Sequence, residues 1–144
     1  MLRLNYLNVI VVVLALAGCS SGSILDSIGS TGEKATSLNS FRAANGRKPL
    51  VQDAHLTALA GTHAADMAKR NSLDHNGFME RRGPAGARAE NVAYGCSDTP
   101  CVIQMWINSS GHRSNMLRTD VNKYGLASAT SPSGRRYWAL ELGE

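Results

Sequence analysis

The stretch Trp106-Ile107-Asn108-Ser109-Ser110-Gly111-His112-Arg113-Ser114-Asn115-Met116-Leu117 decides how this chain is read. An apolar run opens it, another closes it, and a histidine follows a glycine between them. Upstream, Thr99 is suited to cap a helix and Pro100 to take its first position, where no N–H is needed. Val102, Ile103, Met105 and Trp106 then predict a largely buried helix, with Gly111 as its stop. Ser109 and Ser110 are expected as helix-end caps rather than nucleophiles. Arg113 is suited to a salt bridge or a helix contact, with an anionic ligand as the other role. His112 stands at a helix–loop junction, where functional side chains are often displayed.

Two more helices precede this one. Leu38 to Gly46 (LNSFRAANG) reads as a short helix closed by Asn-Gly. Asp53 can cap a second helix, on which Leu56, Leu59, Ala60, His63, Ala64 and Met67 trace an apolar stripe. Lys69 and Arg70 suit its C-terminal end electrostatically. Beyond the third helix, Tyr124 to Ala129 and Arg136 to Leu142 read as strands around the turn Ser131-Pro132-Ser133-Gly134. Helices first and a terminal hairpin last predict an α+β or layered α/β domain. Trp106 and Trp138 are expected in its core.

The four histidines do not read alike. His63, on the apolar stripe, is read as a half-buried core residue, and His55, in the first helical turn, as solvated. His75, in Asp74-His75-Asn76-Gly77-Phe78, falls where loop composition takes over. Glu90 sits among small and apolar residues in Ala89-Glu90-Asn91-Val92-Ala93-Tyr94, where a carboxylate needs a partner or takes a raised pKa. Asn91 is expected to hydrogen-bond backbone and hold the Glu90 loop. His75, His112 and Glu90 together are a workable ligand set for zinc and equally a general-base arrangement.

Size, charge and leader bound the answer. At 144 residues, one small domain is the limit, and 43% hydrophobic content argues against disorder. The net charge of +4 is scattered, with Arg81-Arg82 and Arg135-Arg136 as isolated pairs, so no nucleic-acid partner is expected. Residues 1–18 carry Arg3 and an apolar run from Val9 to Ala17, too short to span a membrane and suited to a leader peptide. Leu16-Ala17-Gly18-Cys19 resembles the bacterial lipobox, which implies cleavage before Cys19 and acylation of its thiol. Residues 19–37 are rich in Ser, Gly and Thr, the composition of a flexible tether, and the folded domain is expected over 38–144. Ser20 after the cysteine leaves either the outer membrane or the periplasmic face of the inner membrane as destination. In that oxidising compartment Cys96 and Cys101 are expected to pair with each other. A metal site there would need two further ligands, and no histidine is nearby.

Several segments in order carry a family resemblance. They are Leu-Asn-x-x-Arg-x-x-x-Gly from Leu38, Asp74-His75-x-Gly77, Glu90-Asn91-Val92-Ala93-Tyr94-Gly95, Trp106-x-Asn-Ser-x-Gly-His-Arg-x-Asn-Met-Leu117, Tyr124-Gly125 and Tyr137-Trp138-Ala139-Leu140. Together they resemble the CAP superfamily of cysteine-rich secretory, antigen 5 and pathogenesis-related proteins, in its compact bacterial form. The resemblance implies a three-layer α-β-α sandwich with a cleft lined by two histidines and two acids. His75 and His112 match the histidines, and Glu90 matches the acid of a Gly-Glu-Asn motif whose glycine is Ala89 here. The second acid falls on Ser109, so the cleft has one fewer anion for the zinc or magnesium ion the resemblance implies.

Family members are associated with lipid carriage, protein interaction, metal binding and, in some cases, proteolysis. Two functions are therefore carried forward. One is an envelope-anchored binding module whose cleft takes a lipid, a cell-wall fragment or a partner protein. The other is a metal-dependent hydrolase of peptides or esters working from the same cleft. The chain has no Gly-x-Ser-x-Gly elbow and no His-Glu-x-x-His helix, which favours the first.

Overall fold

The computed structural model describes residues 34–144. The expected leader over 1–18, the lipidation at Cys19 and most of the 19–37 tether lie outside the described residues. Helix α1, Leu38–Ala44, opens on a capping box, in which the Ser37 and Ser40 hydroxyls accept from each other's backbone N–H at 3.1 and 3.0 Å. It closes at Asn45, with Gly46 in the left-handed region at φ 66°. Helix α2, Ala54–Arg70, is capped by Asp53, whose carboxylate accepts from Leu56 N–H at 2.9 Å, and ends at Asn71 with φ 50°.

The third and fourth helices correct the expectation around Trp106. Helix α3 spans Thr99–Ile107, and its cap is Asp98, not Thr99, because the aspartate reaches Cys101 N–H at 2.9 Å. Gly111 does not end it. Asn108 closes α3, Ser109 turns extended (φ −107°, ψ 120°), and Gly111 lies inside a new helix α4, Ser110–Met116. Ser109 holds the N-cap position of α4, although its hydroxyl makes no capping hydrogen bond.

Four strands form one sheet in the order β1-β3-β4-β2: β1 Val51–Gln52, β2 Ala87–Tyr94, β3 Lys123–Thr130 and β4 Arg136–Gly143. β3 and β4 are the expected hairpin, turning through Gly134 at φ 84°. β1 pairs parallel with β3, and β2 antiparallel with β4. The segment expected as the Glu90 loop is strand β2. It shows no apolar–polar alternation because both of its faces are covered.

Alternation along the strands separates two cores. Ala89, Ala93, Trp138, Leu140 and Leu142 pack with Leu38, Phe41, Ile103, Trp106 and Met116 from α1, α3 and α4. Val92, Tyr137 and Ala139 point the other way and pack on Ala60, Ala64, Met67 and Ala68 of α2. The result is the expected α+β architecture, a sheet with helices on both faces. Small residues bring α2 very close to the sheet, so a Cβ on Gly125 would overlap the Leu56–Thr57 backbone. Both tryptophans are buried, and their indole N–H groups donate to Val92 O (3.2 Å, from Trp106) and Cys96 O (2.9 Å, from Trp138). Cys96 and Cys101 form the expected disulfide at the entry to α3. Among the described residues no helix is long and apolar enough to cross a membrane.

Candidate functional site

His75 is placed by the exit from α2. After the left-handed turn at Asn71, Arg70 reaches forward and donates to both oxygens of Asp74 at 2.7 and 3.2 Å. The Arg70 hydrogen bond is the first cause holding the Asp74 carboxyl at about 2, well below its usual range. Asp74 in turn accepts from Asn76 N–H at 3.0 Å, an Asx turn that fixes the backbone on both sides of His75. From α2, His63 Nε2 donates to the Asp74 carbonyl at 2.9 Å. His63 is a core residue, as expected, but fully rather than half buried, and it also anchors the His75 loop. His75 itself projects outward, with its side chain 57% exposed.

Glu90 meets it from β2. Its Oε1 accepts from His75 Nδ1 at 2.7 Å and its Oε2 accepts from Arg82 Nε at 2.7 Å. Arg82 lies on the single π-helical turn Phe78–Arg82 and also donates to Asn76 O at 2.8 Å. One buried guanidinium therefore ties the His75 loop to the sheet. Burial alone would raise the Glu90 pKa, but the adjoining Glu141 carboxyl and the hydrogen bonds from Arg82 and His75 outweigh it and hold the carboxyl below its ordinary value.

Glu141 stands behind Glu90, directly across the β2–β4 ladder. Its Oε1 lies 2.9 Å from Arg82 Nε, but that N–H is aimed at Glu90, so neither Glu141 oxygen receives an aligned hydrogen bond. Burial first, then the hydrogen bond and charge of Glu90, push the Glu141 carboxyl up to about 9. A neutral Glu141 facing an ionised Glu90 leaves a single buried negative charge beside the Arg82 guanidinium. Two carboxylates here would leave one buried anion without a counter-ion.

His112 arrives on α4, which an asparagine pair latches to the opposite face of β2. Asn91 Nδ2 donates to His112 O at 3.0 Å, and Asn115 Nδ2 donates to Asn91 Oδ1 at 2.9 Å and to Glu90 O at 3.1 Å. Asn91 thus bonds backbone across to α4. The His112 ring lies 6.4 Å from that of Trp106. Burial first, and then the neighbouring His75, lower its pKa, which favours the neutral imidazole. Arg113 makes a helix contact, donating to Ile107 O at the end of α3 at 3.1 Å. Ser109 and Ser110 have no imidazole partner among the described residues.

The structure brings His75 and Glu90 into contact and sets His112 close enough for the two imidazoles to interact electrostatically. It does not make three free metal ligands of them, because both Glu90 oxygens are already engaged. Among the described residues no group of three or more His, Cys, Asp or Glu side chains is arranged to hold a metal ion. A cation bound here would have to draw on the imidazoles of His75 and His112, with Glu90 behind His75 accepting from its Nδ1. That donor set suits zinc and is poor for magnesium, which wants oxygen ligands. Sequence reasoning missed Arg82, Glu141 and the second role of His63. Glu141 left one signal, a carboxylate at an inward position of the strand Tyr137-Trp138-Ala139-Leu140-Glu141-Leu142; Arg82 left none.

The family model described as "CAP: Cysteine-rich secretory protein family" matches residues 36–142. The uncharacterized protein YkwD of Bacillus subtilis is 32% identical over 104 residues, covering 66% of this chain and 40% of that one. The chain spans less than half the length of the curated relatives it matches. Among solved structures, an extracellular SCP-domain protein of Bacillus anthracis superposes with a TM-score of 0.59 at 27% identity, covering 74% of this chain and 38% of that one. An outer surface protein of Borrelia burgdorferi gives a TM-score of 0.62 at 18% identity, with 74% and 86% covered, and shows the same fold. With the family model covering every described helix and strand but for the last residue of β4, the chain belongs to the cysteine-rich secretory protein (CAP) family.

Proposed function

We propose that this chain is a binding module displayed on the bacterial envelope by lipidated Cys19, and that the His75–Glu90–His112 cleft holds its ligand. The ligand classes that suit an envelope site are a lipid, a cell-wall fragment and a segment of a partner protein. One observation carries the preference for binding over catalysis: both Glu90 oxygens are engaged, one by His75 and one by Arg82. Neither Glu90 oxygen is left free to activate water, while His75 is held through Nδ1 with its side chain 57% exposed, a prepared contact. An extracellular and an outer surface protein among the similar structures support the location. A zinc ion would be held by His75 and His112, and would supply a Lewis acid to polarise an oxygen of the ligand.

The hydrolase reading is favoured by a single feature, the exposed imidazole paired with a buried carboxylate, which is also the geometry of a general base. An assay of the full chain against peptide and ester panels separates the two, with His75→Ala and His112→Ala variants alongside. The binding reading expects no turnover above that of the variants. Turnover lost in both, with folding intact, would overturn it.

A further inference from the structure

A second cavity, of about 380 Å³, lies between the α1–β1 loop and the α4–β3 loop. Arg42, Arg47 and Lys48 line it, with Thr119 and Asn122 adding a hydroxyl and an amide, and Leu50 an apolar wall. Arg42 is only 2% exposed. Its Nε donates to Lys48 O at 2.8 Å, and its Nη1 donates to Met116 O and Arg118 O at 2.7 and 2.9 Å. Nη2 makes no hydrogen bond among the described residues, which leaves it as the donor Arg42 can offer to the cavity.

Among the described residues the charge is uncompensated. None of the ion pairs among the described residues includes Arg42, Arg47 or Lys48. Asp120, on the same loop as Thr119, is paired with Arg118. Burial first and then the charge of Arg47 work against protonated Arg42. Carbonyl dipoles offset part of the cost of a buried cation, but a counter-ion offsets far more.

We infer that this cavity binds a phosphate group, with Arg42 as its buried contact and Arg47 and Lys48 as its exposed ones. Three cations around one small cavity match a tetrahedral oxyanion, whose oxygens can accept from several separate donors, better than a planar carboxylate, and a guanidinium presents paired donors to it. The phosphate is that of a lipid headgroup or free inorganic phosphate.

The test is calorimetry on the full chain in neutral detergent at constant ionic strength. The probes are inorganic phosphate, short-chain phosphatidylglycerol and short-chain phosphatidylcholine, run on wild type and on Arg47→Glu/Lys48→Glu. Both substituted residues are exposed, so the variant keeps the fold, which its thermal midpoint checks. Saturable binding of inorganic phosphate, weakened at least tenfold in the variant, is the result expected for a free-phosphate site. Binding of phosphatidylglycerol over phosphatidylcholine, lost in the variant, without a response to inorganic phosphate, identifies a headgroup site. No binding of either anionic probe, or equal binding by wild type and variant, overturns the inference.

Discussion

Glu90 and Glu141 face each other across β2 and β4, and one guanidinium nitrogen, Arg82 Nε, lies 2.7 Å from the first and 2.9 Å from the second. This buried pair sits directly behind the exposed His75. Its protonation sets the charge on which His75 rests, so the stability of the site depends on pH in a predictable way.

Glu141 has a folded pKa raised from the ordinary 4.5 to about 9. Its contribution is present below the unfolded value and is lost as pH rises through the window from 4.5 to about 9. Glu141→Gln keeps a neutral side chain of the same shape and removes that dependence. Urea unfolding at pH 5 and pH 8 should show wild type losing stability relative to the variant as pH rises. A difference between the two proteins that stays constant over this range would contradict a protonated Glu141.

Arg82 is the cation on which Glu90 depends. Arg82→Met should cost about 3–5 kcal/mol at pH 7, the usual consequence of breaking a buried ion pair from one side. The cost should shrink at pH 5, where the stranded carboxyl takes up a proton more easily. Denaturant unfolding at the two pH values measures both.

Much of this architecture could be read from residue pattern alone. Asp53 as a cap, the stripe from Leu56 to Met67, the Asn45-Gly46 stop and the Ser131–Gly134 turn are local signals, and the structure contains all four. What pattern could not give was long-range. β2 lacks alternation because elements packed on both sides of the sheet cover its two faces. Arg82 sits on a π-helical turn that has no signature, and its partners are eight and fifty-nine positions away by residue number. The break between α3 and α4 turns on a single extended residue, Ser109, where the glycine two positions later looked the stronger punctuation.

Gly125 and Gly61 give a paired test of the close helix–sheet approach. A Cβ at Gly125 would overlap the backbone of Leu56 and Thr57, so Gly125→Ala should destabilise by about 3 kcal/mol or more. At Gly61 the nearest atom to an added Cβ is Ala127 Cβ at 3.7 Å, an ordinary contact. Gly61→Ala should therefore be neutral or stabilising by up to about 1 kcal/mol through helix propensity. Thermal unfolding of the two variants should rank them in that order.

Zinc should bind the full chain at one site and should not bind His75→Ala/His112→Ala. Because Glu90 acts through His75, Glu90→Gln should weaken zinc about 10–100-fold without abolishing it. Calorimetric titration distinguishes these levels. Zinc binding retained in the double histidine variant would place the metal elsewhere.

The most direct measurement is native mass spectrometry of the full chain extracted from its own membranes, with His75→Ala/His112→Ala beside it. A ligand-bound species in wild type that the variant lacks is the result predicted for a binding cleft. Identical spectra for the two proteins, free of any bound species, would contradict it.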